Sequence, residues 1–286
     1  MNTQFWIVQI FNGVSYGALL FLVGSGLSLI FGVMRIVNLS HGAYFLWGGY
    51  IALSVINATG SWALSLPVAA LAVAVIGLTM ERVFLRPLGF DPLRQVLLTV
   101  GFAFLFQQAA LDIWGGNNMD INPPAAFTQS IVVGGVYFPL YRAFMIAMAL
   151  LIGVLLWLAL EKTRMGAAVR ATVDDAQMAR GIGIDTNRIS MFIFALGAFL
   201  AALGGVIGGG FLGIYPGLDF EILPLAFAVV IIGGMGSLGG AAIGALLVGL
   251  ADNFGKALFP EVSYFTLYAP MVLILAVKPT GLFGRE

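Results

Sequence analysis

Trp6-Ile-Val-Gln-Ile-Phe-Asn-Gly-Val-Ser-Tyr-Gly-Ala-Leu-Leu-Phe-Leu-Val-Gly-Ser-Gly-Leu-Ser-Leu-Ile-Phe31 runs without a charged side chain. About 20 predominantly apolar residues carry a helix across the hydrocarbon core of a bilayer, and this stretch is long enough to do so. The same ruler places further apolar segments at 40–57, 61–80, 96–114, 142–160, 189–210, 222–238, 241–258 and 264–278. Segment 40–57 holds His41, Gly42, Gly48 and Gly49, so it reads either as a crossing helix or as a broken, re-entrant one. The expected fold is all-α: a single polytopic transmembrane bundle of about 8–9 spans over residues 1–286.

Composition points the same way. The chain is 60% hydrophobic and 9% charged, whereas soluble domains are about a quarter charged. Zero formal net charge and no basic tail speak against nucleic acid as a partner, leaving membrane lipid as the surroundings. The absence of cysteine excludes disulfides and thiolate metal sites. Met1 to Phe5 carries no positive charge ahead of the apolar run, so the first segment is expected to stay as a helix rather than be cleaved.

Orientation follows from the basic residues. Arg35, the group Arg82, Arg86 and Arg94, the group Lys162, Arg164, Arg170, Arg180 and Arg188, and Lys278 with Arg285 all fall in alternate gaps on one side. Arg142 and Lys256 fall on the other. Cytoplasmic loops retain positive charge, which puts the N-terminus outside and the C-terminus inside. The outer loop at about 115–141 has the turn signals Gly115-Gly116-Asn117-Asn118 and Asn122-Pro123-Pro124. Within it, Ser130–Val133 and Val136–Phe138 flank Gly134-Gly135 and read as a short periplasmic β-hairpin.

The inner segment at about 161–188 is the more informative. Gly166 to Arg180 reads as one helix, with Val169, Val173 and Ala176 on one stripe and Arg170, Asp174 and Gln177 on the next. Gly181 stops it, and Asp185 or Thr186 caps the following span. The run is rich in alanine and lacks an aromatic anchor, which suits docking by a protein better than binding to lipid.

Two apparent nucleotide motifs fail on inspection. Gly249 to Gly255-Lys256-Ala257 has five residues between its glycines instead of a P-loop's four, and Ala257 stands where Ser or Thr would hold Mg²⁺. Gly234-Met-Gly236-Ser-Leu-Gly239 has the GxGxxG spacing but lies between apolar segments, as a turn would. Gly236, Gly240 and Gly244, and again Gly205 and Gly209, recur at the spacing that lets helices approach closely, and are expected to serve packing. Polar groups within spans are few. None is an acid near the middle of a span, as ion coupling would need, and no His/Asp/Glu cluster indicates a metal. Asn12, Asn38 and His41 are the candidates for lining a pathway. A stand-alone carrier or channel accounts for the spans but leaves 161–188 without a task.

Three ordered motifs resemble one family. Ile36-Val-Asn-Leu-Ser-His-Gly42 leads into Gly48-Gly49-Tyr50; Thr163-Arg-Met-Gly166 continues through Arg170 and Asp174-Asp175 to Gly181-Ile-Gly-Ile-Asp185; and Gly233 to Ala245 is glycine-rich. Together they resemble the permease subunits of branched-chain amino acid ABC importers, most closely the H-type (LivH-like) subunit. That resemblance implies a bacterial inner-membrane location and a heterodimer with an M-type permease. It also implies two cytoplasmic ATPases that bind ATP and Mg, and a periplasmic binding protein that delivers cargo. The chain itself would be no enzyme and would bind no cofactor. The 161–188 segment would couple it to an ATPase through Gly166, Arg170, Val173, Asp174, Asp175, Ala176, Ala179 and Gly181. Members of this family carry branched-chain and other amino acids, urea and short amides, or aromatic carboxylates.

Overall fold

The computed structural model describes residues 3–89 and 91–284. Arg285, counted above with the basic residues, and Met1 lie outside them. Each expected apolar segment corresponds to a helix, although 222–238 overruns its helix into the turn at 234–237. In chain order these are α1 (Thr3–Met34), α2 (His41–Thr59), α3 (Trp62–Met80), α4 (Pro92–Trp114), α5 (Leu140–Lys162), α8 (Thr186–Leu212), α9 (Leu218–Gly233), α10 (Leu238–Leu258) and α11 (Ser263–Val277). Two short helices, α6 (Arg164–Asp174) and α7 (Ala176–Gly181), occupy the linker between α5 and α8. β1 (Ser130–Val133) and β2 (Val136–Pro139) pair antiparallel around Gly134 and Gly135, whose φ of 59° and 80° suit a tight turn.

Six of these helices are long and apolar enough to cross a membrane: α1, α3 with its extension to Leu88, α4, α5, α8 and α10. The protein is therefore a multi-pass membrane protein. The expected 8–9 spans resolve into six full-length helices and three others, α2, α9 and α11. α9 and α11 are short, at 16 and 15 residues, whereas α2 has 19 residues but carries His41, Tyr44, Tyr50 and Asn57; α2 and α9 both begin inside the bundle.

After α1, Arg35 adopts a left-handed conformation (φ 55°) and residues 36–40 turn back into the protein. His41 Nε2 donates to the Val23 carbonyl at 3.0 Å, roughly 16 Å of helix short of Met34. The Leu39 amide meets Thr99 Oγ1 of α4 at 3.2 Å. From the opposite end, Ile214 tucks against Gly209 and Gly49, and α9 starts beside α2. Gly42, in the first turn of α2, faces the Asp219 carbonyl in the first turn of α9 so closely that a Cβ would collide with it. The two N-termini thus meet in the interior. Such irregular backbone is tolerated at depth only where protein covers it, and Asn38, Ser40, His41 and Asp219 are all buried. Within α2 itself the helix is continuous, so the break suspected in 40–57 lies just before it.

Small residues set the packing of the core. Gly205 of α8 lies against the Phe45 carbonyl of α2, Gly249 of α10 against Gly17 of α1, and Gly26 of α1 against Gly197 of α8. Side chains at these points would hold the helices apart. Burial follows: 78% of the apolar stretch of α1 and 72% of that of α8 is inside the bundle, against 17% for α5 and 22% for α4. α1 and α8 form the interior, and α4 and α5 its exposed flanks.

Candidate functional site

The principal cavity is an open cleft of about 1220 Å³ between α1 and α5. Its wall is apolar for most of its length, with Val14, Phe21 and Leu29 from α1 facing Ile146, Leu150 and Trp157 from α5. At one end the chemistry changes. Arg35, Glu161, Arg170 and Asp174 line that mouth, together with Val169 and Val173 of α6 and the turn Met235–Gly239 before α10. The cleft therefore joins an apolar groove to a charged mouth built partly by the linker helices.

The linker is two helices, correcting the single helix expected over 166–180. Asp175 is extended (φ −152°, ψ 102°), and its carboxylate accepts the amides of Gln177 at 2.8 Å and Met178 at 2.9 Å. An aspartate able to cap a new helix start competes with continuation of the old one. Gly181 ends α7, and the left-handed turn that follows falls at Gly183 (φ 90°). Asp185 caps α8 through the amides of Asn187 and Arg188.

The expected coupling residues divide between two faces. Gly166 and Val169 are buried, and Arg170 and Val173 half-buried, against the body of the protein. Asp174, Asp175 and Gly181 are exposed, while Ala176 is half-buried and Ala179 buried. Arg170 reaches back to α5, donating to the Leu160 carbonyl and lying 3.6 Å from Glu161 Oε2. On the outward side, Met178 is 66% and Ile182 71% exposed, an apolar pair on an otherwise polar segment.

None of the residues expected to line a pathway borders this cleft. Asn12 is half-buried on α1, just beyond Val14 where the lining begins. Asn38 and His41 are fully buried at the junction of α2 with α9 and do not line the cleft. Asn38 Oδ1 accepts from the Ser40 amide at 3.1 Å and the Ser40 hydroxyl at 2.7 Å, so its geometry is that of a turn-forming residue. Of the packing glycines, Gly240 and Gly244 of α10 abut the carbonyls of Gly233 and Val229 on α9, and Gly205 and Gly209 line contacts of α8. Gly236 lies outside the helix, in the turn between α9 and α10, with φ 78° and Gly32 of α1 against it.

Gly249 to Ala257 is helical throughout, which removes the loop a phosphate would need, and Gly234 to Ser237 is a turn. Among the described residues no group of three His, Cys, Asp or Glu side chains is placed to hold a metal. Just before and within the first turn of α9, the Glu221 carboxylate accepts the Tyr215 hydroxyl at 2.9 Å. Sequence reasoning passed over Arg35, Trp157 and Glu161 of the cleft. Arg35 and Glu161 sit at span ends, where charge is ordinary, and only the separation of α1 from α5 gives them a shared mouth.

The family described as branched-chain amino acid transport system / permease component matches residues 9–275. The high-affinity branched-chain amino acid transport system permease protein LivH of Escherichia coli (strain K12) is 32% identical over 306 residues, covering 100% of this chain and 98% of the relative. The corresponding permease protein BraD of Pseudomonas aeruginosa is 30% identical over 297 residues, covering 98% and 96%. LivM of Escherichia coli (strain K12) is 28% identical over 289 residues, covering 91% and 67%. No solved structure matches the chain. With a helical membrane bundle matched from near its first helix to its last, this chain belongs to the permease component family of branched-chain amino acid transport systems.

Proposed function

We propose that this chain is the H-type permease subunit of an ATP-driven importer in the bacterial inner membrane, carrying branched-chain amino acids. The observation that carries the reading is the cleft, which runs along α1 and α5 and ends on α6. A groove open along one side is half a pathway, and a related M-type permease closes it. The apolar wall suits aliphatic side chains, and the mouth of two arginines and two acids suits their zwitterionic ends.

Energy comes from outside the chain, since neither glycine-rich stretch is a nucleotide site. Two ATPase subunits holding ATP and Mg supply it by docking on α6–α7, where Met178 and Ile182 offer an apolar contact. In this reading all nine long helices cross or enter the bilayer. The N-terminus is outside, 161–188 is cytoplasmic with its five basic residues, and the β1–β2 loop faces a periplasmic binding protein.

Gentle detergent extraction from the native membrane, pull-down of this chain and mass spectrometry test the proposal. A second permease with one or two ATPases is the expected recovery. Recovery of the chain alone, under conditions that keep other membrane complexes intact, overturns it in favour of a stand-alone carrier.

A further inference from the structure

The last turn of any helix leaves carbonyls without intrahelical donors. At the end of α5 two of these are taken by the chain that follows. Thr163 Oγ1 donates to the Ala159 carbonyl at 2.5 Å, and Arg170 Nη1 donates to the Leu160 carbonyl. Between them Gly166 sits so tightly on both carbonyls that a Cβ would collide with them. Val169, one turn on, is 3% exposed in a cluster with Leu156 of α5, Leu29 and Val33 of α1, and Ile193 of α8. One face of α6 is thus clamped to the end of α5 by polar contacts and rests through Val169 on α1 and α8, leaving Met165 and Asp174 exposed.

We infer that Arg170 is the positioning residue that makes α6 and the last turn of α5 a single lever, passing the ATPase's displacement of α6 to the α5 wall of the cleft. The inference rests on the proposed docking of an ATPase on α6–α7. Its basis is where Arg170 acts. The guanidinium meets the negative end of the α5 dipole through a charge-assisted hydrogen bond. Its other contact, with Glu161, is half exposed and contributes little. One guanidinium nitrogen, Nη1, makes both contacts, so lysine differs here in reach and in the direction of its donors rather than in charge. The same two helices contribute Gly153, Trp157, Val169 and Val173 to the cleft, so a movement of the lever changes the shape of the pathway directly.

The test uses the complete complex, with both permeases, the ATPases and the binding protein in proteoliposomes. Leucine carried per ATP hydrolysed is measured for the wild type, Arg170→Met and Arg170→Lys. Arg170→Met is expected to lower the ratio about tenfold, the loss of a typical coupling between sites, with the ATPases still co-purifying. Arg170→Lys is expected to fall between it and the wild type. An unchanged ratio in Arg170→Met overturns the inference. So does loss of the ATPases from that variant alone, which would make Arg170 a docking contact. Failure of the wild-type chain to bring down an ATPase would instead defeat the underlying proposal.

A second measurement leaves Arg170 intact. Spin labels at Leu155→Cys and Met165→Cys, in this cysteine-free chain, report the α5–α6 distance with and without trapped ATP. A single unchanged distance is expected, and a shifted or split one overturns the lever.

Discussion

The α1–α8 interior and the α5–α6–α7 arm are built by opposite rules. In the interior, glycines bring backbone against backbone, as at Gly205 on Phe45 and Gly249 on Gly17, and 78% and 72% of the apolar stretches of α1 and α8 are buried. Close packing of this kind has no spare volume, so it resists displacement. The arm has the reverse character. Only 17% of the apolar stretch of α5 is inside the bundle, α6 buries a single face through Gly166, Val169 and Thr172, and α7 is six residues long and capped by a single aspartate. On the proposed reading a transporter needs both a frame that stays fixed and a wall that moves, and the two regions differ in packing in the way that division requires.

The sharpest way to break the comparison is to put a side chain into the interior. Gly205→Leu would drive a branched side chain into the Phe45 carbonyl. Overpacking costs about 1–3 kcal/mol even where side chains can adjust, and here the obstacle is backbone. Loss of the monodisperse peak on size exclusion in detergent is the expected outcome.

In the arm, comparable insults should spare the fold and strike the coupling. Ala176→Arg crowds the first turn of α7, and Gly181→Pro removes an amide from its last turn. Both should give normally inserted, monodisperse protein whose cargo-stimulated ATP hydrolysis in the complex falls about tenfold, as the loss of a typical coupling energy would produce. Wild-type stimulation in both variants would show that α7 is no contact.

A smaller effect is expected at Asp175. Replacing an N-cap aspartate with alanine costs about 1 kcal/mol, here drawn from α7 alone. Faster amide hydrogen exchange over 176–181 in Asp175→Ala, with α8 unchanged, is the expected result. The smallest effect belongs to Gly101 on the exposed flank of α4, where a Cβ would meet nothing within 4 Å. Gly101→Ala should leave the thermal midpoint of the purified chain within the spread of an ordinary surface change, about 0.5 kcal/mol.

What could be read from the sequence divides along the same line. Hydropathy located all nine long helices, because transfer out of water is a local property of twenty or so residues. It did not distinguish lipid from protein as the medium, so it left 40–57 open between a crossing and a re-entrant helix and missed that α9 also begins inside the bundle. That arrangement depends on Gly42 meeting Asp219, residues far apart in the chain. The motif from Asn38 to Gly42 was legible as special, and its polar residues looked like pathway lining. In the fold they form the turn that returns the chain into the protein. The cleft was invisible for a similar reason, since Glu161, Arg170 and Arg35 come together only when α1 and α5 splay. The split of the linker helix, by contrast, was within reach, because Asp175 two and three residues ahead of Gln177 and Met178 is a local capping signal.

The most direct test of the whole account is uptake of labelled leucine into proteoliposomes. The chain is compared alone, under an ion gradient, and together with an M-type permease, its ATPases and a leucine-loaded binding protein. The account predicts no uptake by the chain alone and ATP-dependent uptake by the complex. Robust gradient-driven uptake by the chain alone would contradict it.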